Sequence, residues 1–210
     1  MFDLKLMTGS TKHFVLGKET GGSDMFAGYP DGFEQAVLGF GCFWGAERIL
    51  WKLDGVHTTS VGYAGGTDSA PDYKTVCTGA TGHGEVCHIV FDPAVISFAQ
   101  ILKVFFENHD PTQGDRQGND IGSQYRSIIL TYNDAQAEIA RDMRTTYDAA
   151  YQAKGAPAIT TQIEPLTTYY AAEDYHQQYL AKNPQGYCMH GPTGVSCPLP
   201  PRYLKLDAAE

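Results

Sequence analysis

Gly41-Cys42-Phe43-Trp44-Gly45 is the segment of this chain best equipped for chemistry: a cysteine bracketed by glycines, with two aromatic rings directly beside it. An apolar run at 35–40 precedes it. Ala46, Ile49, Leu50 and Leu53 follow at the i, i+3, i+4, i+7 spacing of a helix that buries one face, and Asp54-Gly55 supplies a stop. The spacing therefore places Cys42 where a buried strand hands over to the first turn of a helix. Free N–H groups and the positive end of the macrodipole favour thiolate over thiol at such a turn. Most cysteines are small buried hydrophobes. The position of this one predicts a nucleophile.

Five cysteines, at 42, 77, 87, 188 and 197, make an odd count with no C-x-x-C pair, in a chain of 210 residues that needs no covalent staples. Reactive and buried thiols are expected rather than a disulfide framework. Cys77 and Cys87 read as structural, since Cys87 alternates with Ile89 and Phe91 on one strand face. A net charge of −9 argues against a nucleic-acid backbone or an anionic membrane as partner. No apolar run reaches the roughly 18 residues of a membrane span, and the first residues lack the apolar block of a secretory signal. A cytoplasmic monomer is expected.

The elements that position Cys42 alternate. Beyond the strand at 35–40 and its helix, 56–63 and 85–91 read as strands, rich in β-branched and aromatic residues. Ser97 and Gln100 form a capping box for a helix with Phe98, Ile101, Leu102 and Phe105 on its apolar face. A polar loop at 110–122 leads to a strand at 125–132. Asn133 and Gln136 then cap a long helix carrying Ile139, Met143, Tyr147 and Ala150 and ending at Lys154-Gly155. A strand near 159–163 and a short helix over 172–180 close the regular part. Five prolines and three glycines in 183–201 exclude a regular element there. The order suggests an N-terminal arm (1–34), one α/β domain of the α+β kind (35–182) folded as a two-layer sandwich of a mixed sheet with helices, and a long irregular tail (183–210).

In these segments and their order the chain resembles the peptide methionine sulfoxide reductase A family, in its three-cysteine branch. The resemblance rests on GCFWG with Glu47-Arg48, Gly62-Tyr63-Ala64-Gly65-Gly66, Tyr73 and Thr81-Gly82-His83-Gly84-Glu85. It continues through Glu107-Asn108-His109-Asp110-Pro111, Gln117-Gly118-Asn119-Asp120, Gln124-Tyr125-Arg126-Ser127, Ala172-Glu173-Asp174-Tyr175-His176-Gln177 and Gly186-Tyr187-Cys188 with Cys197. It implies a ferredoxin-like core, Cys42 as nucleophile, and Phe43 with Trp44 as the apolar pocket for the substrate methyl. It further implies Glu85, Tyr73 and Tyr125 around the sulfoxide oxygen, and Asp120 near the bound substrate. Cys188 and Cys197 would carry the resulting disulfide to thioredoxin or another dithiol protein, with free methionine S-sulfoxide or oxidised proteins as substrate and no metal or organic cofactor.

The residues themselves fit that chemistry. Glu85 opens an otherwise apolar strand, where burial raises a carboxylate pKa and keeps the group available as an acid near neutrality. A metal reading of His83, His88 and His109 with Cys77 and Cys87 lacks the spacing of a zinc site. The serious rival is a papain-like thiol hydrolase, with His176, 134 residues downstream of Cys42, as its base. A third reading makes the Phe43/Trp44 surface a non-catalytic binding face, which leaves the thiol and the carboxylate unexplained.

Overall fold

The computed structural model describes residues 3–5 and 29–204. In chain order, β1 (Asp3–Lys5) is followed by β2 (Glu34–Phe40), α1 (Phe43–Leu50), β3 (Val56–Ala64), α2 (Tyr73–Cys77), β4 (Gly84–Phe91) and α3 (Phe98–Glu107). Then come the short pair β5 (Arg116–Gln117) and β6 (Asp120–Ile121), β7 (Ser127–Thr131) and α4 (Asp134–Ala153). Strands β8 (Gln162–Pro165) and β9 (Thr168–Ala171) and the short helix α5 (Tyr179–Lys182) complete the set.

Seven strands form one sheet in the order β1-β9-β3-β4-β2-β7-β8. At its centre β2-α1-β3 and β4-α3-β7 interlock, with β3, β4, β2 and β7 side by side and each neighbour antiparallel. That is the βαββαβ arrangement of the ferredoxin-like core. The outer pairs β1·β9 and β7·β8 are parallel, which makes the sheet mixed. Period-two alternation sends Ala36, Leu38 and Phe40 of β2, and Cys87, Ile89 and Phe91 of β4, to one face. There they meet Ala46 and Leu50 of α1, Ile101, Leu102 and Phe105 of α3, and Met143 and Tyr147 of α4. Each large apolar side chain so buried contributes roughly 1.5–3 kcal/mol. The opposite face packs Val37, Val86, Ile128 and Leu130 against Leu166 and Tyr169.

Local signals explain most element ends. Ser97 accepts from the Gln100 N–H at 3.2 Å and Gln100 returns to the Ser97 N–H at 2.8 Å, the reciprocal box read from sequence. Asn133 accepts from the Gln136 N–H at 2.9 Å. Three expectations need correction. Tyr125 closes a 3₁₀ turn (Ser123–Tyr125) and β7 starts only at Ser127, because Gly122, at a φ of +146°, and the Arg126 side chain, bonded to the Ser123 carbonyl, bend the chain first. The strand near 159–163 starts later, at Gln162. The helix expected over 172–180 is a loop that reaches helical form only at Tyr179, since Gln177 and Gln178 spend their hydrogen bonds on β3 and α1. The arm expected over 1–34 lies mostly outside the described residues; of the part that is described, residues 3–5 form the edge strand β1 and 29–34 lead into β2.

Beyond α5 the chain is irregular up to a 3₁₀ turn at Pro201–Tyr203. It is strapped across the helices by polar contacts: His190 Nε2 to the Phe40 carbonyl, the Thr193 N–H to the Glu107 carbonyl, and Arg202 and Tyr203 to Asp142.

Candidate active site

Cys42 is the N-cap of α1, with φ −54° and ψ 121°, and its carbonyl accepts from the Gly45 and Ala46 N–H groups. The approach depends on Gly41. Its φ of +97° suits glycine, and a Cβ there would stand 2.6 Å from Gln117 Cγ. The free N–H of Phe43 at the helix start donates to Glu85 Oε2 at 3.0 Å. Glu85 sits on β4 opposite Tyr63 of β3. It shares the parity of Cys87, Ile89 and Phe91, so its carboxyl faces the helix layer and is buried. The result is a cavity of about 130 Å³ lined by Cys42, Phe43, Trp44, Tyr73, Glu85, Asp120, Tyr125 and Tyr187.

Burial dominates the electrostatics. It pushes Glu85 up to about 8, against the pull of the Phe43 N–H, with Asp120 adding to the rise. The same burial, then the Glu85 charge, drives the Cys42 thiol well above its ordinary range. The Trp44 and Gly45 N–H groups oppose this, as expected for a helix start, but they lose. The expectation of a thiolate at rest is therefore corrected: desolvation outweighs the helix terminus, and both Cys42 and Glu85 hold their protons at neutral pH. Burial likewise raises the Tyr73 and Tyr125 phenols, which stay protonated donors. Asp120 Oδ1 accepts from the Tyr187 hydroxyl at 3.0 Å, and its buried Oδ2 has no protein partner among the described residues.

Trp44 is fixed from outside the cavity. Its Nε1–H donates to His176 Nδ1 at 3.0 Å and its ring stacks on Tyr179 at 3.8 Å. This decides the hydrolase reading. A thiol hydrolase needs His176 as the base for Cys42, but its Nδ1 is taken by the indole and burial lowers its pKa to about 4. The metal reading loses its histidines in the same way. His83 bonds the Gly66 N–H and the Asp68 carbonyl, His88 bonds Gln35, and His109 bonds the Phe105 carbonyl and Ser127. Among the described residues no group of three or more His, Cys, Asp and Glu could hold a metal ion.

The two tail cysteines occupy different places. Cys188 is half-buried beside the first turn of α1, where a Cβ on Gly45 would stand 2.9 Å from its Sγ and 2.2 Å from His190 Nδ1. Cys197 is buried among core side chains that include those of α3 and α4 and does not line the cavity. Its N–H donates to Glu107 Oε1 at 3.3 Å, and Lys103 Nζ donates to its carbonyl at 2.7 Å. Cys87 is fully buried in the sheet and Cys77 is exposed on α2. Sequence reading missed Tyr187 as a wall of the cavity; its adjacency to Cys188 was the available signal. It also missed Glu47, fully buried on α1, which accepts from Thr59 and from both Gln178 donors and which burial raises to about 7.

Fold and cavity together define a ferredoxin-like α+β protein with a buried thiol paired to a protonated carboxyl. Residues 34–195 match the family described as peptide methionine sulfoxide reductase. The chain is 54% identical over 187 residues to peptide methionine sulfoxide reductase MsrA 1 of Caulobacter vibrioides, covering 89% of this chain and 84% of that one. Methionine sulfoxide reductase A of Corynebacterium diphtheriae superposes with a TM-score of 0.76 at 46% identity over 90% of each chain. Mxr1 of Saccharomyces cerevisiae, solved in complex with Trx2, gives 0.52 at 25% identity over 78% of this chain and 92% of that one. The chain belongs to the peptide methionine sulfoxide reductase family.

Proposed function

We propose that this chain reduces methionine S-sulfoxide, free or within oxidised proteins, to methionine. The observation that carries the reading is the single cavity in which the Cys42 thiol meets a carboxyl held protonated near neutrality. Phe43 and Trp44 supply apolar walls for the substrate methyl, and Asp120, with a free acceptor oxygen, is available to a substrate donor. Glu85, Tyr73 and Tyr125 surround the sulfoxide oxygen with proton donors. Cys42 attacks sulfur while Glu85 protonates the oxygen. The hydroxyl then passes from the substrate sulfur to the Cys42 sulfur as the new S–S bond breaks and methionine leaves, and the thiol's proton restores the carboxyl. The balance is thiol plus sulfoxide giving sulfenic acid plus methionine.

The Cys188 thiol then condenses with the Cys42 sulfenic acid, forming a Cys42–Cys188 disulfide and releasing water. Cys197 attacks Cys188, frees Cys42 as a thiol and leaves Cys188–Cys197 to be reduced by thioredoxin or another dithiol protein. Support for that partner comes from the Mxr1 complex with Trx2. No metal or organic cofactor enters this chemistry. A role in repairing oxidised proteins in the cytoplasm follows if protein-bound sulfoxide is the substrate; among the described residues no helix is long and apolar enough to cross a membrane. The test is a thioredoxin-coupled assay on resolved sulfoxide epimers. Wild-type protein should consume the S epimer, and Cys42→Ser should lose all turnover with its circular dichroism unchanged. Substantial turnover by Cys42→Ser removes the assignment.

A further inference from the structure

We infer that Glu173 is a positioning residue for the cavity: one carboxylate from the loop after β9 fixes Tyr73 at the start of α2 and orients Trp44 through His176. The inference rests on the reductase reading. Glu173 Oε1 accepts from the Tyr73 backbone N–H at 2.9 Å, and Oε2 accepts from the Tyr63 hydroxyl of β3 at 2.8 Å. Helix α2 spans only five residues, too few to hold itself, so its direction depends on bonds from outside. Asp72 takes the Thr75 N–H at its start and Glu173 takes that of Tyr73.

The second arm runs through His176. Because the Trp44 indole donates to Nδ1, the neutral ring carries its proton on Nε2. That Nε2 is buried, has no hydrogen-bond partner among the described residues, and lies 3.7 Å from Glu173 Oε2. The separation is too long for a hydrogen bond, but in a buried setting the carboxylate still selects this tautomer and ring orientation. His176 is the hub of the walls, with ring centroids 4.7 Å from Tyr73, 5.0 Å from Phe43 and 5.6 Å from Trp44.

The loop that carries both residues is pinned. Gln177 bonds the Val61 N–H and carbonyl at 2.8 Å each, splicing the loop onto β3. Gln178, at φ 45°, is the one non-glycine residue with positive φ among those described, and it is held there by Glu47 of α1. The carboxylate therefore has a fixed post between two walls that lie 100 and 132 residues away from their partners in sequence.

Glu173→Gln separates positioning from plain stapling. The amide oxygen keeps the Tyr73 N–H and the amide nitrogen can face the Tyr63 oxygen, but the charge facing His176 is gone. In single turnover with full-length protein and methionine S-sulfoxide, Glu173→Gln should need about tenfold or more substrate for half-saturation. His176→Phe should do the same, and the double variant should lose no more than either alone. In a Trp51→Phe background the emission of Trp44 should shift in both. Wild-type affinity and emission in Glu173→Gln, or losses that add in the double variant, overturn the inference. If Glu173→Gln does not fold, unchanged affinity and emission in His176→Phe overturn it equally. Wild-type protein that releases no methionine counts instead against the reductase reading, and the emission of Trp44 still decides the positioning role.

Discussion

Cys42 and Cys197 are both buried thiols whose protons burial holds in place, yet the molecule grips them by opposite means. Cys42 stands on rigid elements, with β2 entering and α1 leaving, and a wall of α2 and β4 beside it. Its surroundings are fixed by sheet register and helix packing. Cys197 lies in irregular chain, held by the side chains of Lys103 and Glu107 on α3 and by further ties from Lys154 to the Gly194 carbonyl and from Arg202 to Asp142. The partly exposed Arg202–Asp142 ion pair is worth about 0–1 kcal/mol, and Cys197 is in addition buried against the core. The lesson is a division of labour. The thiol proposed to react is placed by the fold, whereas the thiol proposed to recycle it is held in irregular chain by polar ties and by burial against the core. Cys188 stands between the two, tail in sequence but seated on α1.

The largest effect that would break this comparison belongs to Glu85. Glutamine keeps the acceptor for the Phe43 N–H but cannot deliver a proton, so Glu85→Gln should slow the reductive step by about 10²–10⁴-fold in rapid-mixing single turnover. The sign of the pH dependence follows from the raised pKa. Glu85 is protonated below about 8 and loses its proton above it, so the wild-type step should fall as pH rises through that value. The glutamine variant should lose that limb. An unchanged rate would show that the pocket's acid lies elsewhere.

A smaller effect tests the seat of Cys188. An alanine Cβ at Gly45 would press 2.2 Å from His190 Nδ1 and 2.9 Å from Cys188 Sγ, while leaving the backbone donors of α1 intact. Gly45→Ala should form the first disulfide about tenfold more slowly, through lost proximity alone. Methionine release in the preceding step should stay within about twofold. Equal slowing of both steps would mean that Gly45 serves the pocket rather than the tail.

Much of this was legible because it is local. The glycine-bracketed cysteine, the alternation of Cys87, Ile89 and Phe91, and the Ser97/Gln100 box each depend on neighbours a few residues away. The cavity walls Phe43, Trp44, Tyr73, Glu85, Asp120 and Tyr125 came from the family resemblance, and the structure brings them together. What escaped depends on partners far along the chain. Helix α2 and the loop at 172–178 are held by Glu173, Glu47 and β3, so propensity could not place them. The direction of the Cys42 shift escapes a sequence reading for the same reason. The helix start is visible in sequence, but the burial that overrides it is tertiary.

The central claim is that Cys42 takes the oxygen and passes its oxidation to the seated tail cysteine. Peptide mapping of Cys197→Ser after one equivalent of methionine S-sulfoxide tests it most directly. One equivalent of methionine and a Cys42–Cys188 disulfide that thioredoxin recycles poorly are the predicted result. Methionine released with Cys42 still a free thiol, or Cys42 oxidised while Cys188 remains free, would contradict it.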